Sequence, residues 1–263
     1  MEIIVCIKQV PEVIDAELEI DRDGTDIDRE DLEFDINEWD NYAVEEAVRI
    51  KERHGGKVTV VTLGDEESED VLRQALAMGA DEAIRIDWDG FEGSDAAGIA
   101  RGLYRALKGV PFDLILTGVQ ASDDGWGQVG LTLAEYFGLP YASLVVGIEV
   151  EEGTVIATRE LEAGIQEKVL LPLPALMTIQ SGINIPRYVS ITGIRSVRNV
   201  EIREVDAGDL GLGEEEIGAG ASALESIALS LPEAGDGAEI LKGSLEEVCE
   251  KVAWIIREKG GTA

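Results

Sequence analysis

Four short runs rich in β-branched residues recur along the first 118 positions: EIIVCIK at 2–8, KVTVVTLG at 57–64, EAIRID at 82–87 and FDLILTG at 112–118. Each reads as a buried strand. Between them lie segments with helical spacing. NEWDNYAVEEAVRIKERHGG sets Trp39, Ala43, Val44, Ala47, Val48 and Ile50 at a helical period, with Asn37 as N-cap and Gly55–Gly56 as its stop. ESEDVLRQALAMGAD stops at Gly79, DAAGIARGLYRALKG follows a capping Ser94, and GQVGLTLAEYFGLP ends at Gly138-Leu139-Pro140. Strands alternating with helices of about 12 residues need crossover connections, and hence a mostly parallel sheet. Right-handed crossovers place helices on both faces. The expected fold class is α/β, a doubly wound, mostly parallel sheet.

The pattern changes after Pro140. The stretch from Tyr141 to Gln180 holds several strand runs joined by Gly turns, including EEGT, and reads as an antiparallel extension or edge hairpin. ELEIDRDGTDID at 17–28 alternates around Asp-Gly and suggests a small surface hairpin. Residues 207–243 are rich in Gly, Ala and Glu with weak periodicity and read as an extended arm. Ser244 and Glu247 form a capping box for a last helix, 245–259. The expected organisation is a nucleotide-binding α/β body over 1–205 and a C-terminal arm with its helix over 206–263.

Composition narrows the function. The 263 residues are 45% hydrophobic, enough for a sizeable core, and no run approaches a membrane span. MEIIVCIK begins directly with strand-like residues and no leader, and Cys6 and Cys249 suggest no disulfide framework, so a cytoplasmic setting is expected. The net charge of -32 argues against nucleic-acid binding. It points instead to a basic or electrostatically steered partner, or to a salty cytoplasm. A single histidine, His54, sits at a helix C-terminus, so neither a Ser-His-Asp triad nor a structural zinc site is expected. The G-x-x-x-x-G-K-[ST] loop and a G-x-G-x-x-G after the first strand are both missing.

What remains is a site built from backbone. In such sheets ligands bind beyond the carboxyl ends of strands, near the switch in strand order. The end of the first strand (Cys6 to Val10), the end of the second (Thr62 to Gly64) and the loop GVQASDDGWGQVG at 118–130 are expected to converge there. Helix N-termini offer N–H donors to an anion, Gly118, Gly125, Gly127 and Gly130 let backbone approach closely, and Gln128 adds a side-chain amide. The loop contains no Lys or Arg, so a phosphate would be held by main-chain amides. Asp123 and Asp124 either accept from ribose hydroxyls or an exocyclic amine, or cap the following helix.

Several stretches, in order, resemble the β subunit of electron-transfer flavoprotein, the FixA family: VCIKQVPE at 5–12, INEWDNYAVEEAVRIKE at 36–52, ALAMGADEAIRI at 75–86, GVQASDDGWGQVGLTLAEYFGLP at 118–140, RELEAGIQEKVLLPLPALMTI at 159–179 and NIPRY at 184–188. The resemblance implies an adenine-nucleotide α-hydrolase-like fold whose C-terminal arm embraces an α subunit. It implies a heterodimer that carries electrons on an FAD held mainly by α, with no substrate chemistry in β alone. It also implies a nucleotide of β's own, AMP in many members and a second FAD in electron-bifurcating ones. KQVPE is closer to the branch that includes the bifurcating members, which split electrons from NADH, and AMP and FAD both stay open.

Carried over by motif, the nucleotide site takes Cys6, then Asn37, Glu38, Trp39 and Asp40, then Leu63, and Gly118, Gln120, Ala121, Asp123, Asp124, Gly127, Gln128 and Val129 from the loop. Trp39 either stacks on a base or flavin or packs under its helix. Arg159 and Glu160 fall where the family approaches the α-subunit flavin and either tune its potential or form a surface ion pair. Residues 184–198 resemble the loop that docks on redox partners, dehydrogenases or components linked to quinone or ferredoxin, with Ile191 at the anchor position. Arg195, Ser196 and Arg198 stand there in place of the Met and Lys residues of the familiar pattern, which argues against the usual acyl-CoA dehydrogenase partners. A free-standing stress-type nucleotide-binding protein would share the fold without the extension and arm.

Overall fold

The computed structural model describes residues 1–14, 16–232 and 237–259. In chain order the elements are β1 (Glu2–Cys6), β2 (Gln9–Pro11), β3 (Phe34–Ile36), α1 (Glu38–His54), β4 (Lys57–Gly64), α2 (Glu69–Met78), β5 (Glu82–Asp87), α3 (Ala96–Leu107), β6 (Leu114–Gly118), α4 (Val129–Phe137), β7 (Tyr141–Glu151), β8 (Thr154–Glu160), β9 (Gln166–Pro172), β10 (Ala175–Ile179), α5 (Ile191–Ser196), β11 (Ile202–Val205) and α6 (Leu245–Lys259). Nine strands form one sheet in the order β11-β5-β4-β1-β6-β10-β7-β8-β9, parallel from β11 to β7 and antiparallel through β8 and β9. The α/β class and the antiparallel extension read from the sequence are those of the structure.

The alternation in β1 shows why the central strands are apolar throughout. Ile3 and Val5 join the core under α1 and α2, while Ile4 and Cys6 join the core under α3 and α4. A sheet covered on both faces leaves no solvent side for a polar residue. The chain moves outward from β1 through β4 to β5, then returns to lay β6 on the other side of β1. The strand order therefore switches at β1, and the carboxyl ends of β1 and β6 flank the gap.

Three placements correct the sequence reading. ALMTI, read as part of the antiparallel extension, is β10, inserted parallel between β6 and β7. All five of its residues are buried, as a strand covered on both faces requires. Ser94 does not cap α3. Asp95 does, accepting from the amides of Ala97 and Gly98 at 3.0 Å each, while the Ser94 hydroxyl accepts from Gly218 N–H at 2.7 Å. Asn37 precedes α1 as expected, yet its side chain makes no cap and reaches the 118–130 loop instead.

Residues 207–223, expected to begin the arm, pack on the body. Ile217 is buried in the core over α3, and the Ala223 amide donates to Asp95 at 2.8 Å. Exposed apolar side chains begin at Leu224 and continue through Ile227, Leu229, Leu231 and Ile240. The Leu229 amide donates to Gly24 O at 2.8 Å, so this segment crosses the turn at 20–27, where a single antiparallel bridge joins Ile20 and Ile27. The stretches 233–236 and 260–263 of the expected arm lie outside the described residues. The capping box closes as expected: Ser244 N–H donates to Glu247 Oε2 at 2.8 Å, and Glu247 N–H donates to Ser244 Oγ at 3.4 Å.

Candidate functional site

A cleft opens beyond the carboxyl ends of β4, β1 and β6, at the switch in strand order. This is where a parallel sheet of this kind holds a ligand. One wall is apolar and comes from Leu63, Trp88, Ile99 and Leu103. The opposite side carries Lys8, Asn37 and Asp40 from the β1–α1 region, and the residues from Thr117 onward that lead into α4.

Local pairing brings these residues together. The short β2–β3 ladder, Gln9 to Ile36 through Pro11 to Phe34, returns the chain to the end of β1 after an excursion of some twenty residues. Asn37 N–H then donates to Lys8 O at 2.9 Å, and Lys8 N–H donates to Asp40 Oδ2 at 2.8 Å. The other Asp40 oxygen accepts Gly118 N–H at 2.8 Å. Asn37 completes the tie, donating to Gln120 O at 2.8 Å and accepting from Ser122 N–H at 3.2 Å. Gly118 has to be glycine here, because a Cβ would stand 2.4 Å from Asp40 Oδ1.

Burial pushes the Asp40 carboxyl up to about 7, against the two backbone amides, the Asn37 side chain and the charge of Lys8, which favour ionisation. Burial, assisted by Asp40, also raises the Cys6 thiol well above its ordinary value, so Cys6 is an inert wall rather than a nucleophile.

The loop is arranged for an anion. Gly125 and Gly127 adopt positive φ, 63° and 61°, which side chains disfavour. Gln128 precedes α4 without a side-chain cap, leaving the first-turn amides of α4 free of one. Uncapped amides with a helix dipole behind them suit a phosphate, and the apolar wall suits a flat base. The residues present thus fit a nucleotide.

The acids are held by a cation from the stretch after β1, whose pairing with them the sequence did not reveal. Lys8 Nζ lies 2.7 Å from Asp123 and 2.8 Å from Asp124. Asp123 also accepts the Asp124 amide, and Asp124 the Trp126 amide, both at 3.0 Å. The acids therefore shape the loop rather than cap α4.

Of the residues expected in the site, Cys6, Asn37, Asp40, Leu63, Gly118, Gln120, Ala121, Asp124, Gly127, Gln128 and Val129 line the cleft. Asp123 stands beside it, on Lys8. Glu38 is exposed, and the Trp39 indole N–H donates to Gln180 Oε1 at 2.8 Å, at the end of β10, away from the lining. The aromatic residues that do line it are Trp88 and Trp126, with Ser94 just before α3 and Ile99 and Leu103 from α3. Trp88 was legible as the residue following the end of β5, by the same rule that marked Leu63 and Cys6.

Arg159 and Glu160 lie elsewhere, in β8, two strands beyond β10. Arg159 donates to Ser143 O at 2.8 Å and to Glu167 at 3.0 Å, which pins it across the antiparallel extension. Ile191 is the first residue of α5 and is 68% exposed, beside exposed Ile185 and Tyr188. Among the described residues, no cluster of His, Cys, Asp and Glu could hold a metal, and no helix is long and apolar enough to cross a membrane.

Residues 25–210 match the electron transfer flavoprotein domain. The chain belongs to the electron-transfer flavoprotein family. Its similarity to β subunits extends over nearly its full length. It is 37% identical to the electron transfer flavoprotein subunit beta of Methylophilus methylotrophus, over 99% of this chain and all of that protein. It is 37% identical to the β subunit of Thermoanaerobacterium thermosaccharolyticum over 96% of both chains, and 38% identical to that of Bacillus subtilis over 86% and 87%. The electron-transfer flavoprotein domain match runs from before β3 to past β11, so it includes α1 and the 118–130 loop, while β1 and Lys8 are reached only by the full-length relatives. Its function is that of an electron-transfer flavoprotein β subunit.

Proposed function

We propose that the cleft between β1 and β6 holds an adenylate group, either free AMP or the adenylate half of a second FAD, in a heterodimer with an electron-transfer flavoprotein α subunit. The observation that carries this reading is the uncapped start of α4 facing a cleft whose far wall is apolar. The amides at 127–129 would hold the phosphate, the Asp40 clasp ties the turn after β1 to the end of β6, and Leu63 and Trp88 would cover the base. Bound flavin, most of it held by the α subunit, would supply the one- and two-electron chemistry. This chain's residues bind, orient and exclude water.

Other surfaces fit the same reading. The exposed apolar residues from Leu224 through α6 suit an arm lying on the α subunit. Ile191 at the start of α5 suits an anchor for a redox partner, a dehydrogenase or a component linked to quinone or ferredoxin. Arg159, held rigidly by Ser143 and Glu167, suits a fixed positive charge near the α-subunit flavin, with Glu160 beside it. If the second flavin is present, the heterodimer is a candidate for bifurcation of electrons from NADH.

The test is to coexpress the chain with its α subunit, purify the complex and count nucleotides after denaturation. Two flavins per heterodimer identify FAD in this cleft, and one flavin with one AMP identifies AMP. A complex with one flavin and no further nucleotide overturns the reading.

A further inference from the structure

Lys8 is the one basic side chain lining the cleft among the described residues, and it reaches the acid loop from 115 positions away. Its backbone is fixed on both sides, with N–H on Asp40 and C=O accepting from Asn37. Its ammonium sits on Asp123 and Asp124 at 2.7 and 2.8 Å. An ammonium carries three N–H donors, and these two carboxylates use two of them. The side chain remains 39% exposed, so the third direction is accessible.

The loop poses an electrostatic problem. Two adjacent carboxylates beside the start of α4 oppose the anion that the amides of α4 would attract. A cation bridging both carboxylates offsets one of the two negative charges and draws both acids onto itself. It does so without occupying the amides, since Gln128 leaves them uncapped. The acids in turn hold the ammonium at the mouth of the cleft, where a long lysine chain would otherwise sample many rotamers. We propose that Lys8 is a nucleotide-binding residue whose ammonium bridges the Asp123–Asp124 pair, offsets one of its two charges and gives its remaining N–H to the phosphate of the bound adenylate. The basic group absent from the loop's own sequence is thus delivered by the end of β1.

This inference rests on the adenylate reading above, and the experiment separates the two. Dissociation constants for AMP and for adenosine are measured by calorimetry on the heterodimer after removal of bound nucleotide, for the native chain, Lys8→Gln and Lys8→Arg. Loss of a charge-assisted phosphate contact weakens AMP binding by about tenfold or more in Lys8→Gln and leaves adenosine within about threefold. Lys8→Arg keeps most of the AMP affinity and shows that the site still folds with this position changed. Equal losses for AMP and adenosine would reduce Lys8 to a strap on the loop and overturn the proposal, as would unchanged AMP binding. A native heterodimer that binds neither AMP nor FAD sinks the adenylate reading, and Lys8 with it. A native complex that binds AMP while Lys8→Gln matches it sinks Lys8 alone.

Discussion

Asp40 accepts the backbone N–H of Gly118 at 2.8 Å with one carboxylate oxygen while the other accepts from Lys8 N–H, so one buried side chain spans the gap between β1 and β6. Its carboxyl is raised to about 7 by burial. In the unfolded chain an aspartate titrates near 3.9. The folded protein therefore holds the proton more tightly than the unfolded chain between those values. The stabilisation is complete below about pH 4 and is lost as pH rises through 7. Asp40→Asn removes this dependence. From pH 5 to pH 8 the stability of the native protein, measured by urea unfolding relative to Asp40→Asn, should fall by about 3 kcal/mol. A constant difference would mean that the carboxyl is already ionised at pH 5.

Gly118→Ala tests the same clasp from the other side. The added Cβ would meet Asp40 Oδ1 at 2.4 Å and Trp39 Cβ at 2.8 Å, both on an element held at its far end by the core. Overpacking of this kind costs roughly 1–3 kcal/mol. Because Asp40 must move, nucleotide retention should drop along with the melting temperature. Retention is measured as nucleotide released per heterodimer.

Much of this was legible in the sequence, for identifiable reasons. Helices α1, α2 and α4 announced their ends because Gly55, Gly79 and Gly138 adopt positive φ at the C-caps, which few other residues do. The β7–β8 turn was legible in EEGT for the same reason at Gly153. The direction and place of β10 were not legible. ALMTI has no feature that distinguishes a parallel central strand from an antiparallel edge, because that is decided by which neighbours cover it. Residues 207–223 looked like an arm because Gly, Ala and Glu show no period, yet Ile217 is buried in the core with Leu210 and Leu212 packed against the same cluster. Lys8 lies in the Cys6-to-Val10 stretch expected at the site, but its pairing with the acids was not legible because those partners lie 115 and 116 positions away. The loop's sequence showed the acids and concealed their counter-charge.

The segment that leads into α5 is held by an ion network. Arg187 Nε stands 2.8 Å from Glu45, and another guanidinium nitrogen 2.9 Å from Glu52. The two carboxylates hold the Arg187 proton still more tightly than usual, and Arg187 with Arg49 holds Glu45 below the usual carboxylate range, against its burial. Glu45 has only 3% of its side chain exposed, so it tolerates no loss of partners cheaply. Arg49 remains on it at 2.6 Å, which limits the damage. Arg187→Ala should cost about 1–2 kcal/mol in urea unfolding, less than a fully orphaned buried charge.

Ile191 sits at the exposed start of α5, whose cap is the Ser190 hydroxyl accepting from Gly193 N–H at 3.1 Å. Ile191→Ala leaves that cap intact and removes only apolar surface. If this surface docks a redox partner, electron transfer to it should slow by about tenfold, with heterodimer assembly unchanged in gel filtration. Loss of assembly would move the segment to the subunit seam.

The last helix makes the strongest case for a covering partner. In α6, Leu245, Val248, Val252 and Ile256 fall at i, i+3, i+7 and i+11, one stripe of an amphipathic helix. None of its residues is buried, and Leu245, Val252 and Ile256 are 82%, 41% and 62% exposed. A capping box alone does not stabilise a helix of 15 residues in water, since most helical stability comes from packing of the apolar face. The helix therefore needs a surface to lie on, and under the reading above the α subunit would supply it. Val252→Asp places a charge in the middle of the stripe, outside the lining of the cleft. It should weaken association with the α subunit by about tenfold or more in a titration followed by light scattering. The melting temperature of the α/β body should not move, because Val252 is exposed and belongs to neither core cluster. An unchanged dissociation constant would show that the stripe faces something other than the α subunit.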